Sequence, residues 1–419
     1  MKAIVAALIT STSMCLSGPG AFAQPDHGFA IRDVRVFDGA KTSEHRTVLV
    51  QNGKIVKVGA AGMKLEAATA TFEGTGMTLL PGLIDAHVHV GAPVRESLRE
   101  ALIFGVTTEL DMFSDRDRLI EMKFGAADDP PDIADIRSAG IGATVPGGHP
   151  SEMGGPQFPT ISSPGEAEAF VDARIAEGSD YIKIIHDGAG TLPDTPVDLM
   201  KALIDAAHKR GKLALVHARS EKAAREAVEA GADGLMHIII GQQAKRDFGA
   251  YVARHHVFVV PTLVTTYWEC GKSTGPEVAK DPHFEPYLTS GQKKMLAVPS
   301  PESGCAAASD QAMQQLIAQD ATILAGTDAP IPGTVYGASL HQELVLYVKL
   351  GMSAEHALAA ATSVPARIFG LKDRGQIKPG MRADLVLVRG DPTANIPDSK
   401  NIVDVWKRGV RVERKRVEE

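Results

Sequence analysis

Residues 181–240 read YIKIIHDGAGTLPDTPVDLMKALIDAAHKRGKLALVHARSEKAAREAVEAGADGLMHIII, and the rhythm of this stretch decides the fold class. Tyr181 to Ile185 is a short apolar run rich in β-branched residues, which predicts a strand. Pro196 to Arg210 carries its apolar residues at helical spacing, and Leu213 to His217 is the next strand. A second helix is framed by Ser220 as N-cap and Gly231 as C-cap, before a third strand from Gly234 to Ile240. Strands alternating with helices argue for parallel βα units rather than hairpins, because a parallel pair needs a long crossover between its strands. The pattern continues over roughly 280 residues, the usual size of a (β/α)8 barrel. The expected fold is therefore α/β, a (β/α)8 TIM barrel over residues 80–370, with a doubly wound sheet as the alternative.

The chain ends have another texture. Ala30 to Val36, Thr47 to Val50 and Ile55 to Val58 are short strands with a turn at Asn52-Gly53. Ala383 to Val388 and Ile402 to Val410 resume the pattern near the C-terminus. Residues 24–79 and 371–419 are expected to build one small β-sandwich domain. Between the apolar runs Val257 to Val260 and Ala321 to Ala325 lies a long polar insertion, residues 268–319, rich in Pro and Gly. Insertions of this kind hang over binding faces, and a partly helical lid is expected here. It holds Cys270 and Cys305, for which a disulfide and two free thiols are both open.

Residues 1–23 have the form of a signal peptide, with Lys2, an apolar stretch from Ala3 to Leu16 and Ala21-Phe22-Ala23 before Gln24. Export to the periplasm or the medium is the expectation. Beyond the signal no stretch approaches the length of a membrane span, so no membrane association is expected. A formal net charge of −7 supplies no basic field for nucleic acid. The expected partner is a small-molecule or short-peptide substrate, and assembly as a homo-oligomer stays open.

The chemistry is concentrated at a few strand ends. In Leu79-Leu80-Pro81-Gly82-Leu83-Ile84-Asp85-Ala86-His87-Val88-His89 the two histidines are two apart, and on a strand they project to one side and can hold one ion together. Lys183 lies in an apolar strand, where an unpaired ammonium is costly. Either a salt bridge neutralises it, or an amine of lowered pKa combines with carbon dioxide to give a carbamate with two oxygens for metals. His217, His237 and Asp328 each fall late in, or just after, an apolar run. In a parallel barrel that is the C-terminal face, where catalytic groups gather. Each has an ordinary structural explanation alone; together they occupy separate strands on one face.

These motifs resemble the amidohydrolase superfamily, in the branch related to imidazolonepropionase and to prolidase-like and carboxypeptidase-like enzymes with a carboxylated lysine. The resemblance spans nearly the whole mature chain. It rests on Pro-Gly-Leu-Ile-Asp-Ala-His-Val-His at 81–89, Tyr-Ile-Lys-Ile at 181–184, Val-His-Ala at 216–218, Ala-Gly-Thr-Asp at 325–328 and Gly-Gln-Ile-Lys-Pro-Gly-Met-Arg-Ala-Asp-Leu-Val at 375–386. It implies two divalent ions, zinc by expectation. His87 and His89 would hold the more buried ion, His217 and His237 the more exposed one, and carbamate-bearing Lys183 would bridge them. Asp328 would hold the first ion and act as general base in metal-assisted hydrolysis. One departure stands out: many relatives carry Glu-His-Gly on the sixth strand, where this chain has Met236-His237-Ile238, so that histidine must be supported differently.

Substrate contacts are expected from His149 in Gly147-Gly148-His149-Pro150, from His186 just past Lys183, and from His341 at the start of a late helix. His255-His256 precedes a strand and has no expected role. The leading function is cleavage of an amide or peptide-like bond, in a dipeptide, an N-acyl amino acid or a xenobiotic amide. A lactonase, phosphotriesterase or cyclic-amidine hydrolase would use the same site, and an exported non-catalytic metal- or ligand-binding protein is the reading from another class.

Overall fold

The computed structural model describes residues 28–415 and 417, apart from 68, 128, 129, 155, 156, 189 and 302. The expected signal peptide lies outside the described residues. The strands in chain order are β1 (Phe29–Phe37), β2 (Thr42–Gln51), β3 (Lys54–Ala60), β4 (Ala70–Glu73), β5 (Met77–Pro81), β6 (Leu83–Val88), β7 (Val106–Asp111), β8 (Asp135–Ser138), β9 (Ile182–Ile185), β10 (Ala214–His217), β11 (Gly234–Met236), β12 (Phe258–Val260), β13 (Leu385–Arg389), β14 (Ile402–Lys407) and β15 (Val410–Arg411). No helix among the described residues is long and apolar enough to cross a membrane.

The central body is built from parallel pairings. One ladder runs β6-β7-β8 and another β9-β10-β11-β12. Isolated parallel bridges connect them: Ala143 with Ile184, Val259 with Ile323, and Val88 with Ala329. Helices fill the crossovers. Helix Val197–Lys209 turns Leu199, Met200, Leu203, Ile204, Ala206 and Ala207 inward, the 3.6-residue stripe seen in the sequence. Helix Glu221–Ala230 starts where Ser220 accepts the Ala223 amide and ends at Gly231, whose φ of 98° suits a residue without Cβ.

Both chain ends join one mixed eight-stranded sheet, β15-β14-β13-β5-β1-β2-β3 with β4 on β1. This corrects the expected sandwich of two sheets. The sheet curls until Lys54 of β3 bridges Arg382 just ahead of β13, around a core that includes Ile31, Val48, Ile55, Leu385 and Trp406. Bulges in β1 and β2 supply the bend.

The polar insertion is packed onto the body. It contains helices Gly275–Ala279, Ser290–Leu296 and Ala306–Ala318. Val278, Phe284, Leu288 and Leu296 bury themselves against Phe104, Val335 and Ala338. Cys270 and Cys305 form a disulfide with their Cα atoms 4.8 Å apart. The bond ties the end of helix Leu263–Glu269 to the start of helix Ala306–Ala318.

Candidate metal centre

Strand alternation aims the key side chains. Lys183 and Ile185, two apart on β9, line one cavity of about 540 Å3. His89, His149, His217, His237 and Asp328 line it too. His87 lies deeper, fully buried. Its Nε2 is 3.3 Å from Asp328 Oδ1, and His89 Nε2 is 3.0 Å from the same oxygen. The ring centroids of His87 and His237 are 4.7 Å apart, and those of His217 and His237 4.4 Å.

Those short distances are not satisfied hydrogen bonds. Both ring nitrogens of His87 and the Oδ1 of Asp328 are buried without a hydrogen-bond partner. Native interiors rarely leave buried polar atoms so. One ligand atom from each of His87, His237 and Asp328 falls within 4.8 Å of the others. Imidazole nitrogens and a carboxylate oxygen converging on one point, with lone pairs unused, fit a divalent cation.

Neutral imidazoles are what a metal takes, and burial favours them at His87, His217 and His237, whereas at His89 burial is outweighed by Asp328, which raises it. Burial pushes His87 down to about 3, with the nearby Lys183 ammonium adding to it. Burial likewise lowers His217 to about 3 and His237 well below its usual value. Burial alone would raise Asp328, but His87 and His89 hold it well below the carboxylate range. Lys183 is 2% exposed. Burial lowers its ammonium to about 7, and no carboxylate among the described residues lies within ion-pair distance of it.

The supporting contacts come from residues that sequence reading passed over. Asp187 accepts from His217 Nε2 at 3.0 Å and is gripped by Arg219 through Nε at 2.6 Å. Arg219 reaches on to Glu269, 3.1 Å away. His237 Nδ1 lies 2.9 Å from Thr262 Oγ1, which answers the missing Glu-His-Gly support. Asp85 accepts the amides of His87 and Thr327 and the Thr327 hydroxyl, tying β6 to the segment that ends in Asp328. Its position two residues before His87 was the one available signal. His237, Thr262 and Asp328 all have left-handed backbones, with φ of 77°, 50° and 62°. Non-glycine residues of this kind persist only where surrounding structure over-determines them, typically at functional sites.

Of the three expected substrate contacts, one lies at the cavity. His149 lines it, pairs with Glu152 at 2.6 Å and stands 5.1 Å from the His217 ring. His186 does not: it follows Ile185, so strand alternation turns it outward, where it donates to the Thr195 carbonyl and meets Glu226. His341 is also corrected. It is fully buried between the Phe104 carbonyl and Ser399, away from the cavity. Trp268 lines the cavity, whereas Tyr267 is buried beside it and bonds Asp310. His255 and His256 border a separate depression.

A family model described as the amidohydrolase family matches residues 78–412. An uncharacterized protein of Mycobacterium bovis is 27% identical over 338 residues, 76% of this chain and 80% of that one. An imidazolonepropionase of Deinococcus deserti matches only 103 residues, 24% of this chain, at 34% identity. Among solved structures, a Xaa-Pro dipeptidase with methionine in its active site superposes at a TM-score of 0.73 and 23% identity, covering 92% of this chain and 99% of its own. The ochratoxinase of A. niger follows at 0.71 and 19%, covering 92% and 96%. Likenesses at such identity show the fold, a TIM-barrel-like α/β architecture.

Proposed function

The chain belongs to the amidohydrolase family, and on that premise we propose that it is a metal-dependent hydrolase of amide or peptide-like bonds. His87, His89, Lys183, His217, His237 and Asp328 would hold two divalent ions, zinc by the nature of the donors. The carrying observation is the convergence of His87, His237 and Asp328, with both ring nitrogens of His87 and Oδ1 of Asp328 buried and unpartnered, at an open cavity. The eight parallel segments close as a (β/α)8 barrel in this reading, supported by the bridges that link Val88 to Ala329 and Val259 to Ile323.

When bound, the ions supply an acidified water and a Lewis acid for the scissile carbonyl. Lys183 faces the cavity as a buried amine, and its lowered proton affinity would suit reaction with carbon dioxide, giving a carbamate that would help to hold the ions. Asp328 turns Oδ1 to His87 and His89, leaving Oδ2 to take a proton and return it to the leaving amine. His149 stands over His217 at the mouth of the cavity, placed to meet a polar group of the substrate.

The walls favour apolar flanking groups. Phe113, Met153, Phe158, Trp268, Ile331 and Pro332 line the cavity, and Phe113 and Phe158 pack edge to face at 5.2 Å. The nearby cations are already matched, Arg118 by Asp115 and Arg219 by Asp187 and Glu269. An uncharged or aromatic side chain next to the amide fits this lining, as in an N-acyl aromatic amino acid or a hydrophobic dipeptide. Solved neighbours named for a dipeptidase and for ochratoxinase support the reaction class. The Cys270–Cys305 disulfide and the N-terminal apolar stretch support export to an oxidising compartment.

The test is zinc content by mass spectrometry on protein prepared with zinc and bicarbonate, beside Lys183→Ala and a screen of hydrophobic dipeptides and N-acyl amino acids. About two ions per chain, falling sharply in the variant, is the expected result. One ion or none, unchanged by Lys183→Ala, would sink the two-metal reading. Turnover of lactones or phosphotriesters and of no amide would overturn the substrate class.

A further inference from the structure

Glu343 is fully buried on helix Ala338–Lys349, an element that holds no residue of the metal centre. Its two carboxylate oxygens are both used: Oε1 accepts the Leu263 amide and Oε2 the Val264 amide, each at 2.8 Å. These are the first two amides of helix Leu263–Glu269, which have no partner within the helix. The residue just before them is Thr262, fully buried, with φ and ψ both 50°. A β-branched residue does not adopt that backbone without being held there. Thr262 puts Oγ1 2.9 Å from His237 Nδ1. An Nδ1–H donated to that hydroxyl leaves the Nε2 lone pair of His237 for an ion. From the first turn of the same short helix, Thr265 donates to the carbonyl of Thr327, beside Asp328.

We propose that Glu343 is a positioning residue of the metal centre, clamping the amides of Leu263 and Val264 so that Thr262 is fixed in the backbone that orients His237. This rests on His237 being a metal ligand. It explains how the chain supports that histidine without the Glu-His-Gly pattern. The support is delivered from another strand end and locked by a carboxylate from a third element.

The experiment measures zinc binding by competition with a chromophoric chelator and the visible absorption of the cobalt-substituted protein, alongside thermal melting. Thr262→Val is expected to weaken one zinc ion by about 10- to 100-fold and alter the cobalt spectrum, with Thr262→Ser restoring both. Glu343→Gln presents a donor where two acceptors are needed and should weaken the same ion to a similar extent, though it touches no ligand. Wild-type zinc affinity and an unchanged cobalt spectrum in Glu343→Gln, with only a lower melting temperature, would make Glu343 a helix cap and nothing more. If Glu343→Gln does not fold, Glu343→Asp, too short to span both amides, takes its place. Unchanged zinc affinity in Thr262→Val overturns the proposal by itself. His237→Ala separates the two readings, since full zinc content in that variant overturns the ligand assignment whatever Glu343 does.

Discussion

The two tasks proposed for Asp328 can be separated by a single substitution. Its Oδ1 is turned to His87 and His89, while Oδ2 stands 4.0 Å from His237 Nδ1. Asp328→Asn keeps an oxygen for an ion but has no basic site for a proton. We expect kcat on the best amide of the screen to fall by about 10²- to 10⁴-fold, with a much smaller change in KM. An equal loss in the histidine variants but none in Asp328→Asn would place the base elsewhere. The proposed ligand residues were legible because each stands within or at the end of an apolar run, a local signal. Asp187, Thr262 and Glu343 were not, because each acts through a contact that only folding creates. Ser339-Leu340-His341-Gln342-Glu343 illustrates this well. The histidine drew attention, yet residues two apart on a helix face away from each other, and it is Glu343 that points toward the site.

Among the elements, long periodic segments were readable and short or irregular ones were not. Helix Val197–Lys209 and strand β10 sit where hydrophobic spacing put them. The strand expected from Gly234 to Ile240 stops at Met236, because His237 leaves the ladder with a left-handed backbone to face the cavity. In the terminal sheet the strand pattern was visible, but a curl made by bulges has no periodic signature, and one sheet passed for two. The insertion offers an element-scale prediction. Its disulfide closes a loop between residues 35 apart in sequence and anchors the helix that carries Trp268 and Glu269 to the cavity wall. Cys270→Ser with Cys305→Ser should cost about 3 to 4 kcal/mol by loop entropy. A urea titration of both proteins reads it directly. The double variant should keep its zinc, since neither cysteine lines the cavity; loss of zinc together with stability would tie the insertion to the metal centre itself.

For the whole molecule, the question is what seats the curled sheet on the central body, and the answer lies at the opposite end of the strands from the cavity. Asp135, the first residue of β8, is met by Lys407 Nζ at 2.5 Å, by Arg382 at 2.6 Å and by Arg374. Arg374 also donates to Thr108 of β7 at 3.0 Å, and Arg382 is shared with Asp384. One carboxylate from the body thus gathers three cations from the C-terminal segment. Burial alone would raise Asp135, but Lys407, Arg374 and Arg382 hold it below the usual carboxylate range. Removing it takes a shared partner from three cations whose side chains are at most 9% exposed, so Asp135→Asn should cost about 3 kcal/mol. The pH dependence follows from the sign of the shift. A carboxylate whose folded pKa is depressed stabilises the fold above its unfolded pKa of about 3.9, and that contribution is lost as pH falls toward the folded value. The melting temperature of the wild type should therefore drop more steeply than that of Asp135→Asn as pH goes from about 5 to 2, so that the two curves converge in acid. Curves that stay parallel would mean that the three cations find other partners and that the sheet is seated by its apolar contacts alone.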